Sequence, residues 1–193
     1  MKLENIELIH KGEYLSYYEL EYKLSNGSTK TYEIVSHKGS RHSADDELSV
    51  DSLGSAGKAV IVQIYNKDHS KMLLSKEYRL GVNKFIYNNV AGFMEAGETY
   101  EQAAIRETFE ETGLKITRII DVLNPSYTCA PVCDDLTPVV VCEAEGDIVD
   151  STDEIELTHP VWATKEEVKE LLSSSDALFS GRLQAIAYMW VNS

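Results

Sequence analysis

Basic side chains are scarce in this sequence. Lysine and arginine number 18 against 32 aspartates and glutamates, a net charge of −14. A surface of that sign argues against a nucleic-acid-binding role, because phosphate backbones are held by clustered lysine and arginine. An anionic small molecule would have to be drawn in locally, by metal ions and a few placed arginines, against the field of the whole protein. Cysteine is scarce as well: Cys129, Cys133 and Cys142 are an odd number and form no disulfide framework. The Cys-x3-Cys spacing of the first two has no second ligand pair, so it does not make a zinc site, and reduced thiols in a cytoplasmic protein are the simpler reading. No apolar run reaches membrane-spanning length. Met1–His10 carries Lys2, Glu4 and Glu7 in place of the apolar stretch of a signal peptide. Repeats and low-complexity tracts are absent too. The expectation is a soluble protein of one domain, or one domain with a small appendage, with ample length for a core.

What the chain does have is concentrated between Gly92 and Leu114, in GFMEAGETYEQAAIRETFEETGL. Thr99 and Gln102 fit a capping box, so a helix is expected to start there, and Gly113 is the expected left-handed stop. On that helix Glu107, Glu110 and Glu111 share an arc of roughly 100°. Ile105 and Phe109 fall on the opposite side, where an apolar stripe is expected to dock on a sheet. Carboxylates crowded onto one arc repel one another, and oxygen-seeking Mg²⁺ or Mn²⁺ would relieve that repulsion. The alternative is a solvated acidic stripe partly neutralised by Arg106. That alternative serves for Glu-x-x-Glu-Glu alone. It fails for the full string Gly-x5-Glu-x7-Arg-Glu-x-x-Glu-Glu-x-Gly-Leu, whose identities would coincide by chance on the order of once in 10⁸ windows.

The rest of the chain reads as a sheet protein with three helices. Tyr18, Leu20, Tyr22 and Leu24 alternate with Glu19, Glu21 and Lys23 as in a half-buried strand, and Asn26-Gly27 signals a type I′ hairpin into a second strand over Tyr32–Val35. From His37 to Gly57 the sequence turns polar and glycine/serine-rich, a long loop with room for one helical turn. Further strands are expected at Lys58–Tyr65, Met72–Tyr78, Ile116–Leu123, Pro138–Ala144 and Ile155–Trp162. Thr164 with Glu167 forms a second capping box opening a helix through Leu172, and a last helix runs from Gly181 to Trp190. The expected fold is α/β: a mixed sheet in an α/β/α sandwich over residues 57–193, preceded by an N-terminal antiparallel unit over residues 1–56.

The stretch from Gly92 to Leu114 resembles the Nudix box, the signature of hydrolases that cleave a nucleoside diphosphate linked to another moiety. It departs at Thr108, where the family usually has an aliphatic residue. The resemblance implies that Glu107, Glu110 and Glu111 hold the metals, Mg²⁺ or Mn²⁺, with the backbone carbonyl of Ala91 as a further ligand. It implies that Arg106 orients Glu107 and that Glu98 braces the loop against the helix.

The front hairpin, Lys76-Glu77-Tyr78-Arg79 and the Val90-Ala91-Gly92 entry look like the ADP-ribose pyrophosphatase branch. In that branch the hairpin is often exchanged between subunits, which implies a homodimer. Arg79 would meet a substrate phosphate, Gly92 and Phe93 would line the substrate pocket, and Asp135 would stand near the ribose. The segment around Pro131, CAPVCDD, departs from the Ser-Pro-Gly-like loop of that branch, so other nucleotide sugars compete with ADP-ribose. The general base would come from the acidic run Asp150, Asp153, Glu154 and Glu156, with Glu154 the choice. Two alternatives stand beside this enzyme: a non-catalytic nucleotide sensor on the same fold, and a hydrolase of oxidised nucleoside triphosphates. The intact set of box acids argues against the first and the front hairpin against the second.

Overall fold

The computed structural model describes residues 1–55, 59–151 and 157–193. In chain order the elements are β1 (Lys2–Lys11), β2 (Ser16–Lys23), β3 (Thr29–Ser36), β4 (Ala59–Tyr65), β5 (Lys71–Arg79), β6 (Lys84–Asn88), β7 (Val90–Phe93), α1 (Tyr100–Thr112), β8 (Lys115–Tyr127), β9 (Leu136–Glu145), β10 (Thr158–Thr164), α2 (Lys165–Ser173) and α3 (Gly181–Val191). They form two compact units, Met1–Gly57 with Pro125–Thr137, and Lys58–Asn124 with Pro138–Ser193.

The first unit is a three-stranded antiparallel sheet in the order β1-β2-β3. Tyr18 and Leu20 of β2 are buried with Ile34 and Leu48, as the alternation of β2 requires. The Tyr18 hydroxyl donates to the Lys38 carbonyl (2.9 Å) and accepts from the Leu48 amide (3.1 Å), which ties the polar segment after β3 to this core. Within that segment one helical turn forms, with the Leu53 amide bonded to Ser49 O. The Pro125–Thr137 segment joins the unit through Val35 N–H to Val132 O (2.9 Å) and Tyr32 hydroxyl to Pro131 O (2.8 Å).

Two expectations change here. The β2–β3 connection is not a type I′ turn, which needs positive φ at both central residues. Gly27 has φ 85° but Asn26 is not in the left-handed region. Gly27 N–H bonds Leu24 O and Leu24 N–H bonds Ser28 O, the pattern of a type I turn closed by a left-handed glycine. The hairpin also gains a third strand, β1. Its inward residues Leu3, Ile6 and Leu8 lose period two because the register shifts between Leu3 and Asn5 and again between Leu8 and His10.

The second unit is built on a mixed sheet in the order β10-β5-β4-β9-β8, with β6 paired to β5 and β7 to β4. β4 and β9 are parallel, while β10–β5, β5–β6 and β4–β7 are antiparallel. Alternation along β4 and β5 sorts side chains to two faces. Val60, Val62, Ile64 and Leu73 pack with Ala103 and Ala104 of α1. Met72 and Leu74 pack with Val168 of α2 and Leu183, Ala187 and Trp190 of α3. The unit is therefore the expected α/β/α arrangement. β6 and β7 were not foreseen, although Asn88-Asn89 divides the run FIYNNVAGF where β6 ends and β7 begins. Of the expected strands, the starts at Lys58 and Ile155 lie outside the described residues.

Candidate active site

α1 is bounded by its local sequence. Thr99 Oγ1 accepts from Gln102 N–H, Gln102 Oε1 accepts from Thr99 N–H (2.9 Å), and Gly113, at φ 74°, donates to Phe109 O. Its docking face differs from expectation. Ala103, Ala104, Thr108 and Thr112 are buried, whereas Ile105 and Phe109 are 47% and 55% exposed. Two alanines let the helix lie close to the sheet, and bulkier Ile105 and Phe109 turn outward. Glu107 is one turn from Ala103 and Glu111 one turn from Glu107, so these acids lie along the edge of the docked face. Glu107 and Glu111 are partly buried, while Glu110 is exposed.

Arg106 collects the acids. Its Nε and Nη2 donate to the two oxygens of Glu98 (2.9 Å each), and Nη2 also donates to Phe93 O (2.8 Å). Nη1 donates to Glu107 Oε1 (2.8 Å) and Glu110 Oε2 (3.1 Å). Glu98 Oε2 in turn accepts from Glu95 N–H (2.7 Å), closing the loop between β7 and α1. One guanidinium thus ties the end of β7, the loop and the helix together.

The electrostatics follow from these contacts. The hydrogen bonds from Arg106, with that from Glu95 N–H, bring the Glu98 pKa down to about 2. Glu98, then Glu107, raise that of Arg106. Glu107 moves the other way: burial raises its pKa and outweighs Arg106. The carboxylate of Glu107 lies where a Cβ on Gly92 would stand, so only glycine at this point of β7 leaves room for it. Arg106 uses Oε1 of Glu107, and Oε2 has no protein partner among the described residues. The NUDIX domain model matches residues 56–181, the span containing this cluster.

The chain belongs to the NUDIX family. Relatives that it resembles include an ADP-ribose pyrophosphatase of Bacillus subtilis, 24% identical over 185 residues, with 95% of this chain and 89% of that protein covered. A nudix hydrolase of Caenorhabditis elegans is 27% identical over 179 residues, 93% of this chain and 74% of that one. A NAD-capped RNA hydrolase of Saccharomyces cerevisiae is 30% identical over 116 residues, 58% of this chain but only 30% of that protein. A crystal structure of an ADP compounds hydrolase superposes with a TM-score of 0.67 at 18% identity, covering 99% of this chain and 91% of the other. The chain is a Nudix hydrolase resembling the ADP-ribose pyrophosphatase branch.

Nudix hydrolases generally use divalent metal ions, and the residues here fit one. The donors are all hard oxygens, and the Gly92 gap holds a half-buried carboxylate beside Ala91. Among the described residues no group of three or more His, Cys, Asp or Glu is already arranged as a metal site.

The remaining expected residues are placed as follows. Phe93 gives its carbonyl to Arg106, and the residue is 59% exposed. Arg79 ends β5, with Nε 2.7 Å from Glu77 Oε1. Asp135 belongs to the first unit and faces His37 at 3.9 Å. Asp150 pairs with His159 (3.2 Å), whereas Asp153, Glu154 and Glu156 lie outside the described residues. Sequence reasoning missed Glu77. An acid two residues before Arg79 on a strand was the available signal, since i and i+2 share a face.

Proposed function

We propose that this enzyme hydrolyses the pyrophosphate bond of a nucleoside diphosphate linked to another moiety, with ADP-ribose the first substrate and nucleotide sugars next. The products would be a nucleoside monophosphate and a phosphorylated moiety. The observation that carries the reading is the Arg106 cluster, which joins Glu98, Glu107 and Glu110 at the glycine gap of β7. The ADP-ribose pyrophosphatase similarity runs along 95% of the chain, whereas that to the yeast NAD-capped RNA hydrolase stops at 58%. This favours ADP-ribose over NAD-capped RNA.

Glu107, Glu110, Glu111 and the Ala91 carbonyl would hold Mg²⁺ or Mn²⁺. Bound there, the ion supplies charge neutralisation at the phosphates and makes a coordinated water more acidic. Arg106 offsets part of the effect of burial on Glu107 and fixes its orientation. Arg79 donates to a phosphate oxygen, as a permanently charged planar donor suits. Glu154 takes the proton as water oxygen attacks phosphorus and the bridging P–O bond breaks. Phe93 and Gly92 border the substrate, and Asp135 accepts from a ribose hydroxyl. The enzyme is proposed to act as a cytoplasmic homodimer that exchanges its N-terminal unit.

The test is a panel of ADP-ribose, nucleotide sugars, NAD and nucleoside triphosphates with Mg²⁺, followed by phosphatase-coupled phosphate release. ADP-ribose should give the highest kcat/KM. No turnover of any diphosphate-linked compound would leave the sensor reading in its place. Light scattering in solution tests the dimer, and a monomer mass overturns it. Glu154→Gln should lower kcat with metal affinity unchanged, and an unchanged kcat would move the base elsewhere.

A further inference from the structure

Alternation along β5 places Ser75, Glu77 and Arg79 on the face of Leu73, the face on which α1 packs. Their cross-strand partners on β6 are Asn88, Ile86 and Lys84. Arg79 and Lys84 are thus two cations directly opposite each other, an arrangement that repels. Lys84 has no partner among the described residues, and Arg79 has one, Glu77. Like charges facing each other in a chain of net charge −14 make a local site for an anion, provided the arginine is held in place.

Glu77 is built to hold it. Its side chain is 13% exposed against 52% for Arg79. Asn88 Nδ2 reaches across from β6 to Glu77 Oε1 at 2.6 Å, and Arg79 Nε donates to the same oxygen at 2.7 Å. The amide locks the carboxylate, and the carboxylate locks the guanidinium by its Nε. The N–H donors on Nη1 and Nη2 have no protein partners among the described residues, and they are the pair that can grip two oxygens of one phosphate.

We infer that Glu77 is a positioning residue: it holds Arg79 so that its terminal nitrogens, with Lys84 alongside, meet a substrate phosphate. The inference rests on the proposed diphosphate substrate and deepens it. It also explains why Asn88 points to an acid that is already paired.

The test uses ADP, the nucleoside diphosphate part of the first proposed substrate, as the probe, with affinities measured by calorimetry on the full chain. The parent, Arg79→Ala, Glu77→Gln and the double variant are compared. Arg79→Ala and Glu77→Gln should each weaken ADP binding about tenfold, the scale of one hydrogen bond to a charged group. The double variant should be no weaker than Arg79→Ala alone. With the hydrolysed substrate, Glu77→Gln should raise KM and leave kcat within about twofold, since the contact is formed before the chemical step. Glu77→Gln binding ADP like the parent overturns the inference, as does an equal loss in both backgrounds, which would mark a merely structural role. Arg79→Ala binding ADP like the parent removes the phosphate contact and the inference with it. The substrate reading fails separately, if the parent hydrolyses no diphosphate-linked compound. Glu77→Asp, which keeps the charge on a shorter arm, replaces Gln with the same outcomes should Glu77→Gln not fold.

Discussion

The Glu107 carboxylate occupies the space that a side chain at Gly92 would fill. Strand β7 and helix α1 therefore approach closely here, a backbone without a Cβ facing an acid. Gly92→Ala should push that carboxylate away, while Arg106 still clamps the loop to the helix. A displacement of about 1 Å at a reacting centre can cost on the order of 10²-fold in rate. We expect a loss of that size in kcat/KM with an unchanged circular dichroism spectrum; activity within about twofold of the parent would show that the carboxylate position is not needed.

Glu111 follows Glu107 by one turn on the edge of the docked face. Glu111→Gln removes a charge without removing volume, so the fold should persist while metal affinity or activity falls about 10–100-fold or more. Chelation should abolish activity in the parent, and added Mg²⁺ or Mn²⁺ should restore it. Titration with Mn²⁺ followed by electron paramagnetic resonance separates weaker metal binding from slower chemistry. A variant with the parent's turnover removes Glu111 from the metal set.

Glu98 gives a pH signature. Its pKa falls from 4.5 unfolded to about 2 folded, chiefly through Arg106. A depressed carboxylate stabilises the fold fully above the unfolded pKa, and that contribution is lost as pH drops through the folded one. Glu98→Gln should therefore melt below the parent at neutral pH, with the gap narrowing from about pH 4.5 down to about 2. Melting curves across that range check it. A gap that stays constant would mean that the charge of Glu98 contributes nothing.

Thr108 is fully buried, and its hydroxyl has no partner among the described residues. An unsatisfied buried hydroxyl costs about 1–3 kcal/mol. Thr108→Val keeps the shape and removes that cost, so it should raise stability by roughly 1 kcal/mol without altering kcat. Chemical denaturation measures the difference, and a destabilised variant would mean that the hydroxyl is satisfied in solution.

Much of the site was legible because it is local. Thr99 with Gln102 and the left-handed Gly113 bound α1 through contacts three or four residues apart, and helical spacing alone puts Glu107, Glu110 and Glu111 on one arc. The same spacing misassigned the buried face. Apolar character favoured Ile105 and Phe109, but close approach to the sheet favoured Ala103, Ala104 and Thr108. Strand β1 escaped notice because two register shifts break its alternation, and the Asn26-Gly27 pair does not by itself choose between turn types.

The sequence alone determined the family, the helix that carries the acids and the alternation that builds the two faces of the sheet, since all of these follow from interactions between near neighbours in the chain. Only the tertiary structure decided what those acids meet. The gap at Gly92, the Phe93 carbonyl on Arg106, and the path from Asn88 through Glu77 to Arg79 all join separate strands, or a strand to a helix. Such contacts depend on sheet order and on how closely a helix can lie on it, and no spacing along the chain encodes either.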